Sequence, residues 1–175
     1  GRLPAVSTFS EPLRVDGSGY SAVVNPDGTF ASLAVEPGSG ELLAPGWPGN
    51  TLSACTPDGR PLEPAVDGPA TLVESELCRV VSVRGSLGPR VRTQTEIRFT
   101  RGARRVDVRL LLAFDEAAIG DYFDDDTKLS VSWPLAFDGT IHHDIAFGAV
   151  PTRPGRPFFP VSWTDVSDGV RGFGY

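Results

Sequence analysis

The sequence predicts an all-β protein, built as one large antiparallel β-sandwich of about ten to twelve strands. Two observations support this fold class. Twenty Gly and sixteen Pro are spread through the 175 residues, which leaves long helices almost no room. Between them, Val, Thr, Phe and Leu recur in short runs, and these residues favour strands. Because no repeat of fixed period is present, the pattern argues against a solenoid or a propeller.

The first predicted element is a hairpin over residues 19–35. Two apolar runs flank the turn Asn25-Pro26-Asp27-Gly28. Pro26 presets the φ angle of the first central turn position, and Gly28 supplies a positive φ. Residues 1–18 are expected to form an N-terminal extension or linker, with the sandwich domain spanning 19–175. Shorter strands are predicted at 41–43 and 51–56, between Gly- and Pro-rich stretches.

The strongest periodic signal covers residues 91–114. Apolar or Thr side chains alternate with polar ones over 91–99 and again over 106–114, on either side of the turn at 101–103. This predicts a long hairpin with one buried face, and residues 77–84 are expected to pair with it before a turn at 85–88. The 106–114 strand gains on the order of 10 kcal/mol of gross burial, most of it offset by chain entropy, and is therefore expected to be central.

The last third of the chain is expected to contain one helical turn and four strands. The helical turn is predicted at 116–122, where Gly120 keeps it short. The strands are predicted at 129–137, 140–147, 159–163 and 170–173.

Charge and composition exclude several classes of function. The formal net charge of −6 gives no electrostatic footprint for nucleic acid. One local basic cluster is interpreted as the solvated face and turn of a hairpin, with a binding patch as the alternative; it comprises Arg98, Arg101, Arg104 and Arg105. No apolar run is long enough to span a membrane, and no signal peptide is visible, which slightly favours the cytoplasm. The chain has no Met and is expected to be a fragment of a larger protein.

Two cysteines are present, Cys55 and Cys78. One disulfide bridge between them is conceivable. Without secretory signals, two free buried thiols are the expected state.

The histidines of the chain form one cluster, His142-His143-Asp144. Adjacent residues of a strand point to opposite faces, so His142 and Asp144 are expected to share one face while His143 takes the other. A structural hydrogen-bonded pair is the favoured interpretation, and an acid–base or ligand role is the alternative. A metal site would need a third ligand from elsewhere.

An acidic loop and several aromatic residues are the remaining candidates. Asp124 and Asp126, with their acidic neighbours 121 and 125, can offer oxygen ligands to calcium, but the spacing matches no EF-hand and a solvated loop is favoured. Aromatic side chains can stack on sugar rings; those considered are Trp47, Trp133, Trp163, Phe158 and Phe159. Trp133 lies in an apolar strand and is expected to be core.

Several segments of the chain, in order, resemble the β-sandwich region of family 38 α-mannosidases. They are the turn and strand over 25–33, Asn50-Thr51-Leu52, the 91–114 hairpin, Lys128-Leu129, Phe147-Gly148 followed by Arg153-Pro154, and Trp163-Thr164-Asp165. The chain departs from the family at 122–127, where the family usually places a Trp and a Glu-x-His.

The resemblance implies a galactose-mutarotase-like supersandwich that follows a catalytic domain. In the family, an Asp nucleophile beside a divalent metal, usually zinc, cleaves the glycosidic bond with retention. Those residues lie upstream, so this segment is expected to hold no catalytic residue and no cofactor. Its expected partners are the parent's catalytic domain and carbohydrate. Candidate sugar-binding residues are Trp163, Asp165 and Arg153, in a stretch that the resemblance places near the rim of the cleft, together with His142 and Asp144. For Trp163, core packing is the favoured interpretation and sugar stacking the alternative.

Three functional hypotheses follow. The first is a non-catalytic β-sandwich domain of an α-mannosidase or related glycoside hydrolase. The second is a stand-alone carbohydrate-binding module, and the third is a mutarotase-like enzyme that uses His142 or His143 as acid or base.

Overall fold

The structure is a computed structural model, and it describes residues 3–35, 40–56, 58–113, 130–145, 148–152, 164–169 and 172–174. The regular elements of these residues are all strands. They are β1 (Ala5–Phe9), β2 (Leu13–Asp16), β3 (Tyr20–Val24), β4 (Phe30–Val35), β5 (Gly40–Glu41), β6 (Thr51–Ser53), β7 (Pro64–Val66), β8 (Ala70–Glu74), β9 (Cys78–Leu87), β10 (Val91–Thr100), β11 (Val106–Ala113), β12 (Ser130–Ser132), β13 (Thr140–Ile145), β14 (Gly148–Thr152), β15 (Thr164–Ser167) and β16 (Gly172–Gly174). The predicted all-β antiparallel fold is confirmed, and the strands outnumber the ten to twelve expected because several have only two or three residues.

The largest sheet has the strand order β1-β8-β9-β10-β11, with β7 also paired to β9. The hairpin β10–β11 places Ile97 opposite Val108 and Phe99 opposite Val106, as its alternation predicts. Strands β7 and β8 both pair with the same side of β9, at its C-terminal and N-terminal halves respectively. They therefore line one side of β9 as two successive strands, and residues 67–69 connect them.

The second sheet has the order β2-β3-β4-β5 and packs its apolar face on the first. The hairpin β3–β4 turns at Asn25-Pro26-Asp27-Gly28, where Gly28 N–H donates to the carbonyl of Asn25 at 3.0 Å and Gly28 has a φ of +85°. The core between the sheets includes Ala22, Val24 and Phe30 from one side and Val81 and Ile97 from the other, all fully buried. The predicted hairpin over 19–35 is thus confirmed.

Two smaller sheets complete the described fold. Strand β12 pairs with β6, and a separate sheet has the order β14-β13-β15-β16. Phe173 of β16 lies against Trp133, with ring centroids 4.9 Å apart, so this last sheet also packs on the core. Among the described residues no helix is long and apolar enough to cross a membrane.

Several details differ from the sequence-based expectations. The strands predicted at 51–56 and 129–137 are shorter, since β6 covers Thr51–Ser53 and β12 covers Ser130–Ser132. Within the described part of the large sheet, β11 has β10 as its hydrogen-bonded neighbour and lies at the edge, whereas the sequence predicts a central position. Its inward side chains are only half-buried. Alternation shows which face of a strand turns inward, and carries no information about how many strands flank it.

The predicted turn at 85–88 begins too early, because β9 continues to Leu87. Gly85 lies inside the strand, where a Cβ atom would come 2.3 Å from the carbonyl oxygen of Ala65. The glycine therefore permits close approach of β7 and does not end β9.

The segment expected to be an extension, 1–18, contributes two strands: β1 pairs with β8, and β2 pairs with β3. The predicted helical turn at 116–122 and the predicted strand at 159–163 lie outside the described residues.

Candidate functional site

The C-terminal sheet brings two of the candidate polar residues together. His142 of β13 lies directly opposite Asp165 of β15 in the antiparallel register. Side chains of such a pair share one face, with Cβ atoms about 4.5–5.5 Å apart. The alternate positions Ile141 and Val166 are also opposite each other, and Val166 packs against the core. His142 and Asp165 therefore occupy the face of this sheet that turns away from the core.

A carboxylate opposite an imidazole can orient the ring where the two groups form a hydrogen bond. Two such groups alone do not make a metal centre, because zinc usually takes three or four protein ligands. Among the side chains that the structure describes, no group of three or more His, Cys, Asp or Glu residues is placed to hold a metal ion. The register places the two side chains on one face, and sequence alone could not match residues 23 positions apart.

The other candidate residues are placed less completely. Asp144 lies two positions after His142 on β13 and is opposite Ala149 of β14. Its side chain, and all of Trp163, Arg153, Asp124 and Asp126, lie outside the described residues.

Trp133 belongs to the core, as the sequence predicts. Its ring lies 5.3 Å from that of Phe30 and 4.9 Å from that of Phe173, measured between centroids. The indole Nε1–H is buried and has no hydrogen-bond partner among the described residues. A buried N–H without a partner costs about 1–3 kcal/mol.

An apolar cavity of about 490 Å³ lies beside Trp133. Its described lining comprises Leu52, Leu110, Leu112, Ser130, Val131, Trp133, Leu135, Thr164, Val166 and Phe173. Because Nε1 of Trp133 is inaccessible even to water, it does not face this open space. The cavity therefore offers few described polar groups that could orient a ligand.

Trp47 is the opposite case, with 67% of its side-chain surface exposed. It lies in the turn Ala44-Pro45-Gly46-Trp47, which is closed by a hydrogen bond from Trp47 N–H to the carbonyl of Ala44 at 3.1 Å. Both ends of the turn are fixed to neighbouring strands. Ala44 N–H donates to the carbonyl of Pro134 at 2.8 Å, and Gly49 exchanges two backbone hydrogen bonds of 2.9 Å with Phe30.

Asn50 and Glu41 hold the segments on either side of this turn. Asn50 is 7% exposed, has a φ of +58°, and donates from Nδ2 to the carbonyl of Gly28 at 3.0 Å. Glu41 accepts hydrogen bonds from Ser32 Oγ at 2.5 Å and from Leu33 N–H at 2.8 Å, and it also accepts one from the N–H of residue 43 at 3.0 Å. Partial burial raises the pKa of Glu41, but these hydrogen bonds together lower it by more. The pKa therefore lies below its ordinary value.

A row of hydroxyl groups follows the turn on β6 and β12. Thr51 lies opposite Ser132, and Ser53 lies opposite Ser130, with the two serine Oγ atoms 2.9 Å apart. The three serines are exposed and Thr51 is half-buried. The row begins at the turn itself, because Thr51 Oγ1 donates to the carbonyl of Pro48 at 2.9 Å. Sequence analysis did not identify this row, whose two halves are far apart in the chain.

Cysteines and arginines add no further site among the described residues. Cys55 and Cys78 are both free thiols, as expected, but both are half-buried where full burial was expected. The four arginines of the basic cluster are exposed around the β10–β11 turn, and Arg105 forms an ion pair with Asp107 at 3.0 Å.

No protein-family model matches the chain, and no curated protein matches it.

Proposed function

We propose that this chain is a non-catalytic β-sandwich domain of a glycoside hydrolase resembling the family 38 α-mannosidases. It packs against the catalytic domain of its parent protein and contributes to carbohydrate binding. The metal ion of such an enzyme, usually zinc, belongs to the catalytic domain.

One contact carries the proposal. The two segments of family resemblance at 25–33 and 50–52 meet in the fold, since Asn50 donates its buried Nδ2–H to the carbonyl of Gly28. Asn tolerates the left-handed backbone conformation of this position better than most residues. The two segments therefore form one structural unit, which supports treating their resemblance as a shared architecture.

Activity measurements test the proposal. The chain alone should hydrolyse no α-mannoside with zinc, manganese or cobalt added, whereas the parent protein that contains it should do so. The coding sequence upstream of Gly1 should also encode a His-x-Asp metal-binding motif. Mannosidase activity in the isolated chain, or a parent without glycosidase activity, would overturn the proposal.

The opposition of His142 and Asp165 favours a second candidate, a mutarotase-like enzyme. A carboxylate beside a histidine is a common arrangement for general acid–base catalysis. This candidate expects the isolated chain to accelerate aldose anomer interconversion. If the candidate is correct, His142→Ala should abolish this interconversion and leave the unfolding midpoint unchanged. An unchanged interconversion rate in His142→Ala would exclude the candidate.

A further inference from the structure

Trp47 is held rigidly although most of its ring is exposed. The backbone hydrogen bonds at Ala44, Trp47 and Gly49 fix the turn on both sides, and Pro45 and Pro48 restrict it further. Leaving a large apolar side chain in water forgoes the free energy of burying it. A ligand that covers the ring recovers this energy, and the fixed turn spares it the cost of ordering a loop.

The hydroxyl row supplies polar groups next to this ring. Thr51 comes four positions after Trp47, so their Cα atoms lie at most about 14 Å apart. Ser53, Ser130 and Ser132 expose hydroxyls that can both donate and accept hydrogen bonds. The exposed indole of Trp47 and the first residue of this row of neutral partners are therefore close along the chain.

The two segments that carry the row are uncharged in sequence, although Asp27 and Arg84 line a pocket with Thr51 at one end of it. Residues 42–56 and 129–137 contain no Asp, Glu, Lys or Arg, although charged residues make up 22% of the chain. The other exposed large apolar residues among those described lie elsewhere, in or near β1, β7, β9 and β11. A protein interface usually buries about 800 Å² on each side around an apolar centre, which a single aromatic ring among hydroxyls does not provide.

We propose that Trp47, Thr51, Ser53, Ser130 and Ser132 form a binding surface for neutral carbohydrate, here called the Trp47 platform. The flat C–H face of a pyranose ring stacks on the indole, and the sugar hydroxyls bond to the serine hydroxyls. This inference rests on the proposed function and deepens it, because it assigns the carbohydrate contact to a surface separate from the His142–Asp165 pair.

Calorimetric titration of the whole chain with α-linked mannobiose, maltose and cellobiose tests the platform. At least one of these sugars should bind, and Trp47→Ala should weaken that binding roughly tenfold. Trp47→Phe, which keeps an aromatic face, should retain most of the affinity. Ser132→Ala should weaken binding roughly threefold, as expected for one neutral hydrogen bond. Affinity should be independent of salt, since no ion pair is involved.

Leu77→Ala is the matched control, because Leu77 is an apolar turn residue that is 76% exposed at another place in the fold. It should leave sugar affinity unchanged, and all variants should keep the wild-type unfolding midpoint. Absence of binding by the wild-type chain, or an unchanged affinity in Trp47→Ala, overturns the platform. So does a Trp47→Ala variant that binds sugar normally but no longer associates with the parent's catalytic domain. The activity of the parent is measured separately, so failure of the platform does not alter that result.

Discussion

Glu41 provides the sharpest test of how the fold supports the Trp47 turn. Its carboxylate joins β4 to the segment that leads into the turn, since Oε1 accepts from the N–H groups of Leu33 and Leu43 while Oε2 accepts from Ser32 Oγ. The substitution Glu41→Gln preserves the shape of the side chain and the Oε1 acceptor. It removes the negative charge that strengthens these bonds.

The expected loss follows from the number of bonds. A hydrogen bond to a charged group contributes about 1 kcal/mol more than a neutral one, and two backbone bonds are affected. Because Glu41 is only partly buried, we expect Glu41→Gln to lower the free energy of unfolding by about 1–2 kcal/mol at pH 7. Glu41→Ala leaves both N–H groups without their partner and should lower it by about 2–4 kcal/mol.

The pH dependence has a defined sign. The folded-state pKa of Glu41 lies below its ordinary value, because its hydrogen bonds outweigh the effect of burial. The stabilisation is therefore complete above the unfolded-state pKa, which is about 4.3, and is lost as pH falls through the lower folded-state pKa. The difference between the wild type and Glu41→Gln should accordingly disappear in strong acid.

Urea unfolding of both proteins, measured from neutral to acidic pH, checks these expectations. Glu63→Gln is the control, because Glu63 is exposed and its substitution should change the free energy of unfolding by less than about 0.5 kcal/mol. If Glu41→Gln matches the wild type at pH 7, or if its deficit is the same at every pH, the assigned role of the carboxylate is wrong.

Three further predictions test the packing. Ile97→Ala, at a fully buried position of β10, should lower the free energy of unfolding by about 2–5 kcal/mol. Leu111→Ala, on the outer face of β11, should lower it by less than about 1 kcal/mol. Equal losses in urea unfolding would contradict the described sheet. Asn50→Ala should lower the free energy of unfolding by about 2–4 kcal/mol, and Asn50→Gly should lower it less, since glycine adopts the left-handed backbone without strain. Thermal unfolding that ranks the two variants in the reverse order would refute this. Gly49→Ala would place a Cβ atom 2.7 Å from the ring of Trp133, and it should cost about 1–3 kcal/mol with altered Trp fluorescence; an unperturbed spectrum would argue against this packing.

Local patterns in the sequence predicted much of the fold. The hairpins β3–β4 and β10–β11 follow from alternation and from turn residues, both of which act over a few positions. The edge position of β11 does not follow, because it depends on which distant segments pair. Gly85 is similar: its neighbours indicate a turn, but the approach of Ala65 that requires a glycine comes from a strand about twenty residues earlier.

The candidate site residues, too, were predictable from the sequence only where local patterns determine their position. The sequence identified His142 and Asp165 as separate candidates, and only the register of β13 with β15 places them opposite each other. The sequence also indicated that Trp133 is core, because apolar residues flank it. It did not indicate whether Trp47 is buried or exposed, because the position of this side chain depends on the backbone contacts of its turn.

The pairing of β6 with β12 has a consequence for how the chain folds. Ser53 and Ser130 are separated by 77 positions, so their contact closes a long loop and has a high contact order. Hairpins such as β10–β11 can form early, while this pair is expected to form late. Any carbohydrate affinity of the surface would then report completion of folding, and it would be missing from every intermediate in which only the first 113 residues are structured.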